Sequence, residues 1–390
     1  MDDPIEFSLV QGGPFFQFLL RVGLARPSMD LLARRVVVIV AVAWLPLLVL
    51  TLISGTAFGG TGVPFLYDLA SQVRLLLCVP VLIGAEVIVH QRMRVTVRQF
   101  LDRGIIAPED QHQFERVIAS AMRLRNSAIA EALLVLLVAV GGYFIGRRYV
   151  STDVISWLAA PAGDQTRFTP AGYWYIFVSM TIFRFLLLRW YFRLFVWYRF
   201  LWQVSRHIPL QLNALHPDRA GGLGFLSGSM FAFQPVLIAH TIALAGVFGD
   251  RIWHEGANLL QFKMEITFWL IFLILLVVTP LFFFVIHLAA SKRAGSREYG
   301  IVGSRYVAEF RRKWIEGHAA KDEALIGTAD IQSLADLGNS FEVVQEMKAV
   351  PFGRAAVMRL AIVTALPLAP LLLTMIPLEQ LIDRALKVLM

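Results

Sequence analysis

Apolar residues occur along this chain in long uninterrupted runs, without the strict alternation or the narrow helical stripe of soluble elements. A run of about 20 apolar residues can cross the hydrocarbon core of a bilayer as a helix, which bonds all of its own backbone groups. The pattern therefore predicts an all-α fold, a polytopic transmembrane helical bundle of about seven spans (six to eight). The predicted spans cover about 36–54, 65–89, 128–145, 173–200, 230–248, 265–290 and 355–377.

Polar segments divide the chain into four expected parts. These parts are an amino-terminal segment with an interfacial helix (1–35), the first six spans (36–290), a segment of short amphipathic helices (291–354), and the seventh span with an amphipathic tail (355–390). The second part includes polar helices over 90–127, a turn-rich loop over 149–172 and a second loop over 201–229.

The segment 291–354 carries local helix signals. Arg305–Gly317 is rich in arginine and predicts a basic interfacial helix. Two short helices should follow, one ending at Gly338 and the next starting at Asn339 with a pattern like a capping box. We expect them to pack against the helices of 90–127 as a cytoplasmic cap.

Composition supports a membrane location. Charged residues make up 16% of the chain, against about 25% in soluble domains, and the mean hydropathy is +0.64. The net charge of +8 comes without any nucleic-acid-binding motif, so we expect no nucleic-acid partner. With the amino terminus inside, 23 of the 36 basic residues fall in inner segments and 7 in outer ones. The positive-inside rule then predicts a bacterial inner membrane protein with a cytoplasmic amino terminus.

Ionisable residues inside the predicted spans are the main candidates for function. Arg184 and Arg189 lie in span four, and an arginine there costs at least about 2.5–3.5 kcal/mol unless it is paired or hydrated. Glu86, Glu131 and His287 are the expected partners at matching depth. The two further arginines of this span, at positions 193 and 199, should reach the inner headgroups.

Two other groups of polar residues are weaker candidates. His240 lies in the middle of span five, where it either bonds a neighbouring helix or relays a proton. Near the outer face, Asp68, Arg74, Asp250 and Glu265 form a second expected cluster.

The stretch LHPDRAGGLGFL predicts a specialised loop before span five. Its proline excludes a helix, and its glycines permit a tight re-entry into the membrane or a nest of amides that holds an anion. The loop candidates are His216, Asp218, Arg219, Gly221, Gly222 and Gly224. No Rossmann or Walker pattern and no standard metal-ligand spacing occurs, so we expect no cofactor and no metal.

At this stretch and at GTADIQSLADLGNSFEVVQEMKAVPF, the chain resembles a group of bacterial polytopic inner-membrane proteins to which no activity is assigned. The resemblance implies that the protein lies in a bacterial inner membrane, and it gives no information about a chemical activity.

The sequence leaves three functions open, and it identifies no catalytic residues for any of them. The leading hypothesis is a channel or transporter subunit for a small ion or solute, because charged residues and bent helices occur together in the spans. The alternative is a membrane scaffold or sensor whose cytoplasmic helices bind a partner. The third is an intramembrane enzyme acting on a lipid-linked substrate. Lipid is the expected partner in each case, and a homo-oligomer is open to test.

The charge distribution predicts the result of a topology experiment. A cysteine introduced into 291–354 should resist a membrane-impermeant maleimide added to intact cells, because that segment lies inside. A cysteine in 149–172 should react and serves as the positive control, and the native Cys78 lies in a predicted span. The reverse labelling pattern would overturn the orientation.

Overall fold

The computed structural model describes residues 7–26, 28, 30–150, 156–162, 165–320, 323, 325 and 328–375. The protein is 78% helical with almost no strand. Within the described residues, seven helices are long and apolar enough to cross a membrane. The expected all-α bundle of about seven spans is confirmed, and the chain is an integral membrane protein. The predicted amphipathic tail after the seventh span lies outside the described residues.

The helices and strands follow one another with short connections. The amino-terminal half contains α1 (Pro14–Arg21), α2 (Leu32–Ile53), α3 (Leu69–Val73), α4 (Val79–Asp102), α5 (Gln111–Arg125), α6 (Ala128–Val150), β1 (Ala159–Ala162) and β2 (Gln165–Phe168). The rest contains α7 (Pro170–Trp174), α8 (Met180–His207), α9 (Ser227–Ala232), α10 (Gln234–Glu255), α11 (Lys263–Val278), α12 (Val285–Phe310), α13 (Ala329–Gln345), α14 (Arg354–Ala365) and α15 (Ala369–Leu372).

The spanning helices alternate in direction, so the bundle has two distinct ends. One end contains the carboxyl ends of α4 and α8 and the helix α5. We call it the basic end, because most arginine and lysine residues are there. The opposite end, which carries β1 and β2, is the β end. The amino-terminal segment and α13 both lie at the basic end.

The break between α11 and α12 shows how the bundle accommodates proline. Pro280 has no amide hydrogen and lies in a 3-10 segment, Thr279–Phe284, which leaves the Leu276 carbonyl without its helical donor. The Tyr198 hydroxyl on α8 donates to that carbonyl. The Ser205 hydroxyl donates to the Phe283 carbonyl in the same segment, at 2.7 Å. Side chains of α8 therefore supply the bonds that the bent helix lacks.

Three local expectations were wrong. The predicted loop over 149–172 contains the antiparallel pair β1–β2. The basic helix expected at Arg305–Gly317 is not separate, because α12 and a π-helical turn, Arg311–Ile315, continue the sixth span. A single helix, α13, replaces the two short helices and runs through Gly338. Packing of α13 along α12 overrides the local stop signal at this glycine.

The basic end carries a helical hairpin, which we define as Ser291–Ile315 together with α13. The two helices run antiparallel, since Tyr306 bonds the Asp330 carbonyl near the start of α13. At the other end of α13, the Lys292 ammonium group donates to the Gln345 and Met347 carbonyls. A lysine thus satisfies the carbonyls at the end of this helix. The main packing partner of α13 is α12, whereas the sequence led us to expect the helices of 90–127.

Candidate functional site

Glu86 of α4 lies at the centre of a buried group of charges. Its carboxylate is 2.6 Å from the Arg35 guanidinium and accepts a 2.7 Å hydrogen bond from Arg193. Arg189, one turn before Arg193 on α8, lies 3.6 Å from the same carboxylate. These side chains are 3–6% exposed. Three helices therefore meet at one carboxylate.

Glu131, in the first turn of α6, completes this arginine–glutamate centre, which we define as Arg35, Glu86, Glu131, Arg189 and Arg193. Its carboxylate is 3.7 Å from Arg189 Nε. It also accepts a 2.6 Å hydrogen bond from an amide of the amino-terminal segment, at position 15. The centre therefore links this segment to the bundle.

The amino-terminal segment closes the centre on one side. The Arg189 guanidinium lies 4.7 Å from the centroid of the Phe15 ring, and Phe7 packs on Trp197 and Phe200. A cavity lined by Arg35 measures about 10 Å³, which is roughly the space of one water. The ionised groups are satisfied by one another and by the protein rather than by bulk water.

The sequence predicted some members of this centre and missed others. The structure brings together Arg189, Glu86 and Glu131, as expected from their depth. Arg193 was expected at the headgroups, and that was wrong: it is 3% exposed and bonded to Glu86. Arg35 was missed because it seemed only to precede the first span. Its depth at the basic end, equal to that of Glu86, was the available signal.

Two predicted members lie elsewhere. Arg184 is on the far side of α8 from Glu86, where its guanidinium would be 3.3 Å from a Cβ built at Gly142. His287 does not join the centre as expected; its Nε2 atom lies 2.8 Å from the Ser205 carbonyl oxygen. Arg184 points away from Glu86 because successive arginines on α8 project in different directions, and His287 of α12 is held by Ser205 instead.

His240 connects α10 to α8. Its Nε2 atom is 2.5 Å from the Tyr191 hydroxyl and its Nδ1 atom is 2.7 Å from the Val236 carbonyl oxygen. A neutral ring satisfies both contacts by donating from Nδ1 and accepting at Nε2. Both nitrogens are thus occupied, which favours a hydrogen-bonded link between helices over a metal ligand.

Asp218 organises the loop before α9. Its carboxylate accepts hydrogen bonds from the Ala220, Gly222 and Gly224 amides at 2.8, 3.1 and 2.8 Å. His216 Nδ1 lies 2.9 Å away. Burial alone would raise the pKa of the Asp218 carboxyl, but the three amides outweigh it and hold this pKa below its ordinary value. The nest of amides is therefore filled by the chain's own carboxylate.

The same loop fastens the helical hairpin to the bundle. Arg219, at φ 53°, pairs with Glu346 at 2.6 Å, and its carbonyl accepts from the Lys348 amide at 2.7 Å. Gly222, at φ 95°, lies so close to Ile105 that a Cβ would be 2.6 Å from its Cδ1 atom. A Cβ at Gly221 would similarly lie 3.1 Å from Met347, two residues after the end of α13. The glycines thus allow close packing between bundle and hairpin.

The β end carries the second expected cluster. Asp68, Arg74 and Asp250 line a cavity of about 300 Å³ together with Tyr175. Glu265 is not among the residues that line it. Asp250 accepts hydrogen bonds from the first amides of α3, at 2.7 and 2.9 Å, so it caps that helix. Arg74 donates to the Tyr175 hydroxyl at 2.7 Å.

Comparisons with protein-family models, with curated proteins and with solved structures give no match for this chain. Among the described residues, no group of three or more histidine, cysteine or acidic side chains is arranged to hold a metal ion. The chemistry present is charge pairing inside the bundle and a basic surface at one end.

Replacement of Glu86 tests the arginine–glutamate centre. Glu86→Gln should destabilise the bundle by about 3–5 kcal/mol, because it leaves guanidinium groups buried without their shared carboxylate. Thermal unfolding in detergent measures the loss. Glu109→Gln makes the same chemical change at an exposed position and should leave the midpoint unchanged. Equal midpoints for the two variants would contradict the role of the centre.

Replacement of Asp218 tests the loop. Asp218→Asn should cost about 1.5–3 kcal/mol, the usual value for hydrogen bonds to a charged group. Because the pKa of Asp218 is lowered in the folded state, its contribution is present above its unfolded pKa of about 3.9 and is lost as pH falls through the lower folded value. Unfolding midpoints measured from pH 7 to pH 3 should therefore converge for the wild type and the variant.

Asp102→Asn is the control for the loop experiment. Asp102 pairs with Arg98 at 3.6 Å on an exposed helix surface, with both side chains more than half exposed. Such pairs contribute about 0–1 kcal/mol. If Asp102→Asn lowered the stability as much as Asp218→Asn, the hydrogen bonds from the three amides to Asp218 would not contribute more than an exposed ion pair.

Proposed function

We propose that this protein is a membrane-embedded scaffold or sensor in which the bundle anchors the helical hairpin and the hairpin binds an acidic protein partner. The observation that carries the proposal is the pairing of the buried arginines. They form ion pairs in a packed interior, where a conducting path would require hydration. The centre thus resembles a structural link between α2, α4, α6 and α8 more than a lining for ions.

The length of the hairpin supports this proposal. The stretch Ser291–Ile315 is about 37 Å long at about 1.5 Å per residue, and it continues directly from the sixth span. It therefore extends from the bundle instead of ending at its surface. A helix that leaves the membrane so far, braced by α13 and the Asp218 loop, is suited to present a surface to a partner.

The chemistry of the hairpin indicates the class of partner. Between Lys292 and Lys313 the first helix of the hairpin carries seven basic and two acidic residues, whereas α13 carries three acidic residues and no basic one, so the positive charge is concentrated on the first helix. Its outer surface also exposes apolar side chains, including Ile301 at 49% and Ile315 at 72%. A basic surface with exposed isoleucines fits an acidic amphipathic segment of another protein, since charge gives orientation and apolar contact gives affinity.

The other two functions stay predictions. A channel or transporter, the leading hypothesis from the sequence, would need a hydrated route to Arg184 or Arg189. An enzyme on a lipid-linked substrate would need reactive groups at a cavity open to lipid. We also propose, from the positive-inside rule and the resemblance given above, that the basic end faces the cytoplasm of a bacterial inner membrane.

A combined experiment separates the scaffold from the channel. A photo-crosslinking residue at position 301 should form a discrete adduct with an acidic protein in native membranes, while the same residue at the exposed position 137 of α6 should contact only lipid. The purified partner should then bind the protein in nanodiscs, and Ile301→Asp should weaken that binding at least tenfold. Proteoliposomes should show no solute flux above protein-free controls.

Opposite results would overturn the proposal. Saturable flux of an ion or solute that is lost in Arg189→Gln, without loss of folding, would establish transport. An adduct at position 301 with a second copy of the chain would replace the acidic partner by a homo-oligomer.

A further inference from the structure

A second cavity at the basic end has no role in the centre or the hairpin. It has a volume of about 640 Å³ and lies between α4, the segment from Phe225 through α9 to the start of α10, and the middle of α14. One wall is a single face of α4, formed by Arg92, Val95, Thr96, Gln99 and Arg103. Their spacing of three and four residues places them along one side of the helix.

The opposite wall combines aromatic rings with one more cation. Phe225 and Phe231 line it, and Arg359 approaches from α14. The Arg103 guanidinium lies 5.2 Å from the Phe225 ring centroid, and the Arg359 guanidinium lies 5.6 Å from that of Phe231. The rings hold these two guanidinium groups at the cavity while leaving their N–H donors available.

Two side-chain amides that line the cavity each have one buried atom without a hydrogen-bond partner among the described residues. Gln99 Oε1 and Gln234 Nε2 are both buried and form no hydrogen bond there. A buried polar group without a partner costs about 1–3 kcal/mol, so native proteins rarely retain one without a reason. These two atoms are buried behind the cavity surface, so they make the wall polar but do not themselves identify an occupant.

The charge of the lining indicates the sign of the occupant. Arginine supplies three of the lining side chains, and no aspartate or glutamate is among them. The carboxylate nearest to Arg103 is that of Asp218, 4.0 Å away and already held by backbone amides. The lining therefore attracts an anion, and guanidinium groups match the oxygens of a phosphate in particular.

The position of the cavity indicates where the anion comes from. Both α4 and α14 leave the apolar part of the bundle at this end, so the cavity lies at the level of lipid headgroups. Val95, Phe225 and Phe231 give it an apolar side that suits the glycerol and upper acyl region. We propose that this cavity binds the phosphate headgroup of an anionic phospholipid, with Arg92 and Arg359 beside the phosphate and Arg103 at the far end of the cavity, about 16 Å along α4 from Arg92.

Gly228 provides a way to fill the cavity without a clash. It lies on α9 in the cavity wall, and a Cβ built there meets no other heavy atom within 4 Å. Gly228→Leu should place its side chain in the space of the headgroup. Gly84→Leu is the matched control, because Gly84 also has open space around its Cβ and does not line the cavity.

Delipidated protein in detergent is titrated with phosphatidylglycerol, phosphatidylcholine, glycerol phosphate or inorganic phosphate, and the thermal midpoint is followed. Phosphatidylglycerol should raise the midpoint of the wild type and of Gly84→Leu. Its apparent affinity should fall at least tenfold in Gly228→Leu and in Arg92→Gln/Arg359→Gln. Arg297→Gln, at an exposed position on the helical hairpin, should bind as the wild type does.

Unliganded midpoints and circular dichroism establish that each variant folds, and Arg359→Lys should retain more affinity than Arg359→Gln if charge is what matters. Equal stabilisation by phosphatidylcholine would overturn the proposal. So would an unchanged affinity for phosphatidylglycerol in the folded Gly228→Leu protein. Saturation by inorganic phosphate or glycerol phosphate at the same concentration would assign the cavity to a soluble phosphate compound instead of a lipid.

Discussion

The attraction between the Glu86 carboxylate and the guanidinium groups around it is the constraint on which the rest of the bundle depends. Removing an ion from water costs several kcal/mol even after the protein relaxes, and only close, well-oriented partners offset that cost. Arg35, Arg189 and Arg193 provide such partners from α2 and α8. The relative depth of these helices is therefore fixed by ion pairing, while the leucine-rich surfaces around them would tolerate sliding in lipid.

This constraint also explains the order of the parts. The amino-terminal segment contacts the centre through Glu131 and Phe15, so the chain before the first span is packed into the bundle. The Asp218 loop lies between the bundle and the helical hairpin and contacts both. Charge thus organises the interior at the basic end, and backbone amides organise the connection to the projecting helices.

The sequence predicted the membrane spans and part of the buried charge pairing. It did not predict features that depend on how neighbouring elements pack together. Long apolar runs predicted all seven spans, because lipid leaves few alternatives to a helix. Depth alone suggested that Arg189 would meet Glu86. The prediction that Arg193 reaches the headgroups was wrong. An arginine that reaches the headgroups and one that pairs with Glu86 have the same depth along α8, and they differ only in the direction in which the side chain leaves the helix. Gly338 predicted a helix end that packing against α12 removed.

The bond from Tyr198 to the carbonyl freed by Pro280 has a mechanical consequence. It joins α8 to the point where the sixth helix bends, and the helical hairpin is the outer arm beyond that point. A sideways force on the helical hairpin would therefore bend the sixth helix at the point bonded to α8, the helix that carries Arg189 and Arg193. A force on the outer arm would therefore reach the helix that carries two members of the arginine–glutamate centre.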